Sequence, residues 1–273
     1  MNHRLILSWL AGLILVAAAA LVPAHGFGLS LPPDVTEETA ESASRALVDL
    51  LNRTSGEHFE FHRSQNAHAY LRDITEATHA LVVTQNHILG RLQQLNYYSA
   101  IWFLEHTTSF VVVVASDDNT VYELGDLAGK NICAGPIPAL FTMHLLYTVD
   151  NPQQEPVIRP VEENKRRVRH LLSGRCSAAI LDIDSYQHLQ SSPEGARLKI
   201  VFQSRSIPIY GVGINQRMPL PLRERLVQIL RSKEGRQALQ PVSRLLTGSE
   251  SALKRPDHRR LKSLSAIVED WLF

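Results

Sequence analysis

The sequence has no excess of charge of either sign. Its 273 residues include 28 Lys and Arg against 27 Asp and Glu, which gives a formal net charge of +1. Nucleic-acid-binding proteins usually carry a basic excess, so this balance argues against that class. Internal repeats and low-complexity tracts are also absent, and 44% of the residues are hydrophobic. We therefore expect one large globular domain or two smaller ones.

Several enzyme signatures are missing as well. The sequence contains no G-x-S-x-G, no H-E-x-x-H, no Walker loop and no glycine-rich dinucleotide-binding turn. Histidines are numerous, but their spacing with Ser206 favours no catalytic triad. The sequence therefore predicts a protein that is not an enzyme and that uses no cofactor.

Cysteine is scarce, since Cys133 and Cys176 are the only two in the chain. Each stands at the head of a short apolar run, N-I-C-A or C-S-A-A-I-L. In an oxidising compartment such a lone pair is a candidate disulfide. Two buried free cysteines are the alternative, because free cysteine is often buried. The sequence leaves both possibilities open.

The N-terminal segment has the composition of a secretory signal peptide. A basic start precedes an apolar run over residues 5–22, and the small residues Ala24 and Gly26 follow. We predict a signal peptide over residues 1–26 that is cleaved after Gly26, with an uncleaved membrane anchor as the alternative. No cysteine lies near this point, so a lipid anchor is not expected. Cleavage removes one basic residue, Arg4, and leaves basic and acidic residues equal in number.

Apolar periodicity predicts strands that alternate with helices. The predicted helices cover residues 36–53, 65–75, 163–172, 222–230, 234–239 and 259–272. The predicted strands cover residues 58–62, 80–84, 157–160, 178–181, 198–202 and 210–215. This alternation is typical of α/β proteins in which parallel sheets are covered on both faces.

The most informative stretch covers residues 109–133. An apolar β-branched run is followed by a polar turn, by the pattern L-x-D-L-x-G-K at 124–130, and by a second short apolar run. This order resembles the middle of periplasmic solute-binding proteins of ABC transporters, of the phosphate/phosphite/phosphonate-binding type. The likeness continues at S-G-R-C-S-A-A (173–179) and at a serine and proline step (204–208).

The resemblance implies a type 2 periplasmic-binding fold. This fold has two lobes, each a mostly parallel sheet flanked by helices, joined by two hinge crossings around a ligand cleft. Lobe 1 would comprise residues 27–108 and 207–273, and lobe 2 residues 109–206. The runs at the two cysteines would become neighbouring strands of lobe 2. The implied protein is a periplasmic monomer that binds a small molecule and docks onto a membrane permease.

In such a fold the ligand lies at the carboxyl ends of strands and at helix N-termini, whose free N–H groups suit oxyanions. On lobe 1, the polar run 84–87 follows a strand and opens a helix, as a ligand-orienting turn would. Asn and Thr also cap helices, which is the structural alternative. The residues predicted to contact the ligand are Thr84, Gln85, Asn86, His87, Gly135, Ile137, Glu163, Asp182, Asp184, Tyr186 and Ser204.

Lobe 2 departs from the phosphonate-binding pattern. Pro138 and Ala139 stand where the resemblance implies Ser or Thr hydroxyls, and proline offers no N–H. Asp182 and Asp184 alternate at a strand end and are expected on one side of it, with Glu163 nearby. Because a carboxylate cluster repels phosphate and favours an amine or a metal ion, we expect an organic ligand with a cationic or neutral head rather than phosphate. Ordinary solvated carboxylates are the alternative.

Two further groups are interpreted as structural. His58, Glu60 and His62 share one strand face and could ligate a metal, but exposed strands often carry such residues, so no metal is predicted. The basic run at 165–170 has a buried apolar stripe and is interpreted as a solvated helix face. Two functions remain, a solute receptor of an ABC-type uptake system or an accessory or sensory module that binds a protein partner.

Overall fold

The computed structural model describes residues 26–33, 35–149 and 151–269. The predicted signal peptide lies outside these residues, apart from Gly26 at its end. Among the helices that are described, none combines the length and the apolar character that crossing a membrane requires.

Strands and helices alternate through most of this part of the chain. The strands are β1 (Phe27–Ser30), β2 (Phe59–His62), β3 (Leu81–Gln85), β4 (Tyr98–Leu104), β5 (Thr107–Thr108), β6 (Phe110–Ala115), β7 (Asn131–Ala134), β8 (Val157–Pro160), β9 (Ala178–Asp182), β10 (Leu198–Gln203), β11 (Ile207–Pro208), β12 (Tyr210–Asn215) and β13 (Leu253–Lys254). The helices are α1 (Glu37–Thr54), α2 (Ala67–Thr75), α3 (Asn86–Gln94), α4 (Leu140–Val149), α5 (Asn164–Leu172), α6 (Ile183–Gln190), α7 (Leu220–Arg231), α8 (Lys233–Thr247) and α9 (His258–Ala266).

The first sheet, with the helices that cover it, forms lobe 1. In the described chain its strand order is β13-β4-β12-β3-β1-β2. β1 pairs in parallel with β2 and β3, and β12 runs antiparallel to β3 and β4. One face packs against α1, α7 and α8, and the other against α2 and α3. Coverage of both faces agrees with the α/β class that the sequence predicts. Three of the five strand pairings described in this sheet are antiparallel, so the sheet is mixed and not mostly parallel as the resemblance implies.

The second sheet, with its helices, forms lobe 2. Its described strands have the order β10-β6-β9-β7-β8, in which β7 pairs in parallel with both β8 and β9. This pairing brings Cys133 in β7 close to Cys176, which precedes β9. The two sulfurs form a disulfide, with Cα atoms 5.7 Å apart, within the limit of about 7 Å that such a bond allows. Both cysteines are buried.

Three segments of the described chain connect the two lobes. β5 and β11 pair antiparallel and form a two-stranded ribbon between the sheets. The third segment is α9 with the turn that follows it. Leu261 of α9 packs in the lobe 1 core, whereas Leu264 and Ile267 pack in the lobe 2 core. The C-terminal helix therefore contacts both lobes and lies against α3 along its length.

Candidate ligand-binding site

A cavity of about 370 Å³ lies between the lobes. Lobe 1 and the ribbon contribute the end of β3, His106 and Thr108 around β5, Ile209 after β11 and the start of β12. Lobe 2 contributes the β7–α4 loop, the first turn of α4, one side chain of α5 and the start of α6. The lining residues are Gln85, His106, Thr108, Gly135, Ala139, Leu140, Phe141, Thr142, Arg167, Asp182, Asp184, Ile209 and Tyr210. This volume is near the lower end of the range for small-molecule sites.

Arg167 of α5 is the buried cation of this cavity. Its Nε–H donates to the backbone oxygen of Val161 (2.6 Å), and Nη2 donates to that of Glu162 (2.8 Å). Nη1 donates to the Ile180 carbonyl (3.0 Å) and to Oδ1 of Asn164 (2.7 Å). Among the described contacts, four of the five guanidinium N–H groups thus have acceptors, which leaves one on Nη2. The guanidinium is held rigidly with spare hydrogen-bonding capacity.

The spare donor lies beside the β7–α4 loop. A Cβ atom at Gly135 would come within 3.3 Å of Arg167 Nη2, so glycine allows the loop backbone to approach the guanidinium closely. Thr142 fixes this loop, because its hydroxyl donates to the Gly135 carbonyl at 2.8 Å. The first turn of α4 follows, and its N–H groups lack acceptors within the helix. A guanidinium and a helix N-terminus therefore both border the cavity near Gly135, which suits an anionic group.

No carboxylate forms an ion pair with Arg167 among the described residues. The nearest acid, Asp182, is linked to it through Asn164, whose Nδ2 donates to the Asp182 carboxylate and to Ser185 Oγ. Burial lowers the pKa of the Arg167 guanidinium, and the charge of Asp182 opposes that shift. An arginine nevertheless stays protonated in proteins. The cavity therefore holds a positive charge that is only partly compensated.

Asp182 and Asp184 require a correction, because they do not alternate along a strand. β9 ends at Asp182, which caps the N-terminus of α6 by accepting the Ser185 N–H at 2.7 Å. Asp184 then lies in the first turn of α6, where its side chain is exposed at the edge of the cavity. Asp182 is engaged in the helix cap, so Asp184 is the carboxylate more available to a ligand.

The lobe 1 run 84–87 joins the end of β3 to the start of α3, but most of it does not form the ligand-orienting turn that the sequence predicts. Gln85 lines the cavity, but Thr84, Asn86 and His87 are buried, with Asn86 and His87 in the first turn of α3. Asn86 Nδ2 donates to the Tyr210 carbonyl at 3.0 Å. This bond ties α3 to β12 and gives Asn86 a structural role.

His87 connects the two lobes. Its Nε2–H donates to the Pro138 carbonyl at 3.1 Å, whereas Nδ1 is buried without a hydrogen-bond partner among the described residues. Burial lowers its pKa to about 4, with nearby His144 acting in the same direction and the bond to Pro138 opposing it. The imidazole is therefore neutral at pH 7, with the proton on Nε2.

This burial predicts a loss of stability in acid. Unfolded His87 takes up a proton below about pH 6.5, but the folded protein takes it up only near pH 4. The unfolded state thus binds more protons between these values, so the free energy of unfolding falls by up to about 3 kcal/mol as the pH is lowered through this window. Urea titrations across it should show a smaller fall for His87→Gln, which retains a donor for Pro138. Equal falls in both proteins would contradict this assignment.

The other predicted contacts lie away from the cavity wall. Ile137 and Glu163 are exposed, and Glu163 is the residue that precedes α5. Tyr186 requires a correction, because its ring is buried in the lobe 2 core with Val111, Val168 and Leu181. Ser204 Oγ accepts the Phe110 N–H at 3.0 Å and donates to the Arg205 carbonyl. Ser204 therefore stabilises the segment that crosses from lobe 2 to lobe 1 between β10 and β11.

Several residues of the cavity were not predicted from the sequence. Arg167 belongs to the run interpreted as a solvated helix face, yet it is only 8% exposed. A signal for its position was present, because it precedes the buried Leu171 by four residues and so shares the apolar stripe of α5. His106, Phe141 and Tyr210 gave no comparable signal.

Comparison with known proteins agrees with this architecture. A model of the family described as "ABC transporter, phosphonate, periplasmic substrate-binding protein" matches residues 29–253. No curated protein sequence matches the chain.

Solved structures show the same fold at low sequence identity. The XAC2383 protein of Xanthomonas citri, in its chloride-bound and ATP-bound structures, is 14% identical over 89% of this chain, with a TM-score of 0.66. The match covers 97% and 96% of those two chains. PhnD1 of Prochlorococcus marinus (MIT 9301), in complex with methylphosphonate, is 11% identical, with a TM-score of 0.58 over 89% of this chain and 97% of its own.

These findings confirm both the resemblance and the two-lobed α/β fold. Proteins of this family are periplasmic and bind substrates for ABC transporters. Because the family match extends over most of the chain, this protein belongs to the phosphonate-type periplasmic substrate-binding proteins of ABC transporters.

Proposed function

We propose that this protein is the receptor of an ABC-type uptake system for a small organic ligand that carries an anionic group and an adjacent amino or neutral polar group. The observation that carries the proposal is the buried Arg167 guanidinium at the interlobe cavity. The guanidinium changes the ligand that the sequence predicts, because it supplies one strong anion donor. Pro138 and Ala139 still stand where the resemblance implies Ser or Thr hydroxyls.

The charges of the cavity support a ligand with two different ends. A buried cation whose charge is only partly compensated favours an anion. Folding has already removed Arg167 from water, so ligand binding does not add that free-energy cost. The Asp184 carboxylate lies at the edge of the cavity and carries a negative charge, which would stabilise an amino group of the ligand. Phe141, Ile209 and Tyr210 provide apolar surface for the body of the ligand. Inorganic phosphate would satisfy only the first of these features.

Ligand binding would stabilise a closed arrangement of the lobes. We place the hinge in the two crossing segments, residues 105–109 and 204–208, which include the β5–β11 ribbon. A ligand that contacts Gln85 of lobe 1 and Arg167 of lobe 2 binds the closed state more tightly, and so raises its population. The monomeric, closed protein would then dock onto the permease.

The direct test is a thermal-shift screen of the mature protein against phosphonates, aminophosphonates, amino acids, simple amines and inorganic phosphate. We expect stabilisation by compounds with an anionic group and an amino group, and little effect of simple amines. At a ligand concentration 100 times the Kd, stabilisation should amount to about 2.7 kcal/mol. Stabilisation by none of these classes would overturn the proposal and favour a protein-binding module.

Asp184 should make a modest contribution to affinity. Its side chain is exposed, and ion pairs at exposed positions contribute roughly 0.2–1 kcal/mol. We therefore expect Asp184→Ala to weaken an amino-bearing ligand by up to about fivefold in calorimetric titrations. Asp117→Asn, in the turn after β6, removes an exposed carboxylate elsewhere and should have no effect. Equal affinity of Asp184→Ala and wild type would remove Asp184 from the site.

A further inference from the structure

A second polar groove, of about 630 Å³, lies on lobe 1. It shares no lining residue with the interlobe cavity. Three potential metal ligands meet in it, His62 at the end of β2, Asp73 on α2 and His79 before β3. One ligand atom of each residue lies within 4.8 Å of the other two. Residues separated in sequence are thus brought together by the folding of β2, α2 and β3.

His79 is the residue that distinguishes this cluster from surface side chains. It is only 5% exposed, and its Nε2 is buried without a hydrogen-bond partner among the described residues. A buried polar atom without a partner is costly. An unpartnered imidazole nitrogen in this cluster is available to bind a ligand.

The local structure is adapted to this ring. Gly28 of β1 has no side chain, and a Cβ atom there would lie 2.6 Å from His79 Nδ1. The imidazole therefore lies across β1 and stacks at a tilt against His62, with ring centroids 4.8 Å apart. Asp73 is oriented by Ser64, whose hydroxyl donates to Oδ2 at 2.8 Å. A hydrogen bond that orients a carboxylate is typical of metal sites.

We propose that His62, Asp73 and His79 bind a divalent transition-metal ion such as Zn²⁺. Two imidazoles and a carboxylate are ligands that Zn²⁺ accepts, and one position remains for water. Bonds of about 2.1 Å require ligand atoms roughly 3 to 4 Å apart, so binding draws the cluster inward. The exposed side chain of His62 is free to make this movement. The ion would join β2, α2 and the start of β3, and so stabilise lobe 1.

The test is calorimetric titration of the mature protein with Zn²⁺ after treatment with a chelator. We expect one tight site per chain, a rise in melting temperature, and a Co²⁺ absorption spectrum typical of nitrogen and oxygen ligands. His62→Ala and Asp73→Asn should each weaken Zn²⁺ binding by at least about 100-fold, the upper end of the loss that outer-shell partners cause. His62 and Asp73 are not fully buried, so these two variants are expected to fold. They therefore test the site even if the variant of the buried residue, His79→Ala, does not fold.

Two neighbouring histidines serve as matched controls. His68→Ala removes an exposed imidazole from the same groove, and His58→Ala removes one from the strand-face group of His58, Glu60 and His62. Both variants should bind Zn²⁺ as the wild type does. Absence of a stoichiometric site in the wild type, or equal losses in the control variants, would overturn the proposal. Neither result bears on the interlobe cavity, so this test is independent of the proposed function.

Discussion

Reduction of the Cys133–Cys176 disulfide should lower the free energy of unfolding by about 4 kcal/mol. The two cysteines are 43 residues apart, and closure of a loop of this size restricts the unfolded chain by about that amount in the chain-entropy model. The bond also joins β7 to the segment that leads into β9, and these two neighbouring strands lie in the middle of the lobe 2 sheet. Loss of the bond therefore weakens the part of lobe 2 that positions Gly135 and Asp182.

Urea denaturation of the oxidised and reduced protein measures this difference. Both sulfurs are buried, so reduction should be carried out on the unfolded chain before refolding in reductant. The double variant Cys133→Ala/Cys176→Ala is the control, and its stability should not respond to reductant. Two titratable thiols in protein purified from an oxidising compartment, or equal stability in both redox states, would contradict the bond.

Arg167→Met should weaken ligand binding by roughly 100-fold. Loss of one partner from a desolvated, hydrogen-bonded charge pair typically costs 2–5 kcal/mol, and methionine keeps the apolar part of the side chain. The substitution also leaves the Val161, Glu162 and Ile180 carbonyls without this donor. We therefore expect a lower melting temperature in the absence of ligand as well.

The affinity loss can be separated from the stability loss. Arg166→Met is the matched control, because Arg166 is exposed on the same helix, and it should bind the ligand as the wild type does. Arg167→Lys keeps the charge but lacks the planar fork, so it should recover only part of the affinity. Near-ultraviolet circular dichroism reports whether each variant is folded before titration. Wild-type affinity in a folded Arg167→Met protein would exclude Arg167 from the site.

Helices and strands with a clear period could be predicted from the sequence. β12 has the predicted limits, and α1 begins one residue after the predicted start, at the residue that follows Thr36. α4 was missed because its sequence, L-F-T-M-H-L-L-Y-T-V, is apolar on most sides and carries no stripe. This segment is buried between α9 and the lobe 2 sheet. The periodicity of apolar residues along the chain does not indicate such tertiary packing.

The site was harder to predict than the fold. The sequence placed Gln85, Gly135, Asp182 and Asp184 at the candidate cavity, because they lie at or just after the ends of strands that meet there. It could not place Arg167, because a run of four cations within six residues is typical of a solvent-exposed helix face. Only the packing of α5 against the sheet shows that one of these cations is buried. The disulfide was left open for a similar reason, because the Cα separation depends on strand pairing.

The measurement that tests the central claim most directly is a crystal structure of the protein with the best ligand from the screen. We predict that the ligand lies between the lobes, with an anionic oxygen within hydrogen-bond distance of Arg167 Nη2 and of N–H groups at the start of α4. A ligand bound outside the interlobe cavity, or one inside it whose anionic group points away from Arg167, would contradict the account.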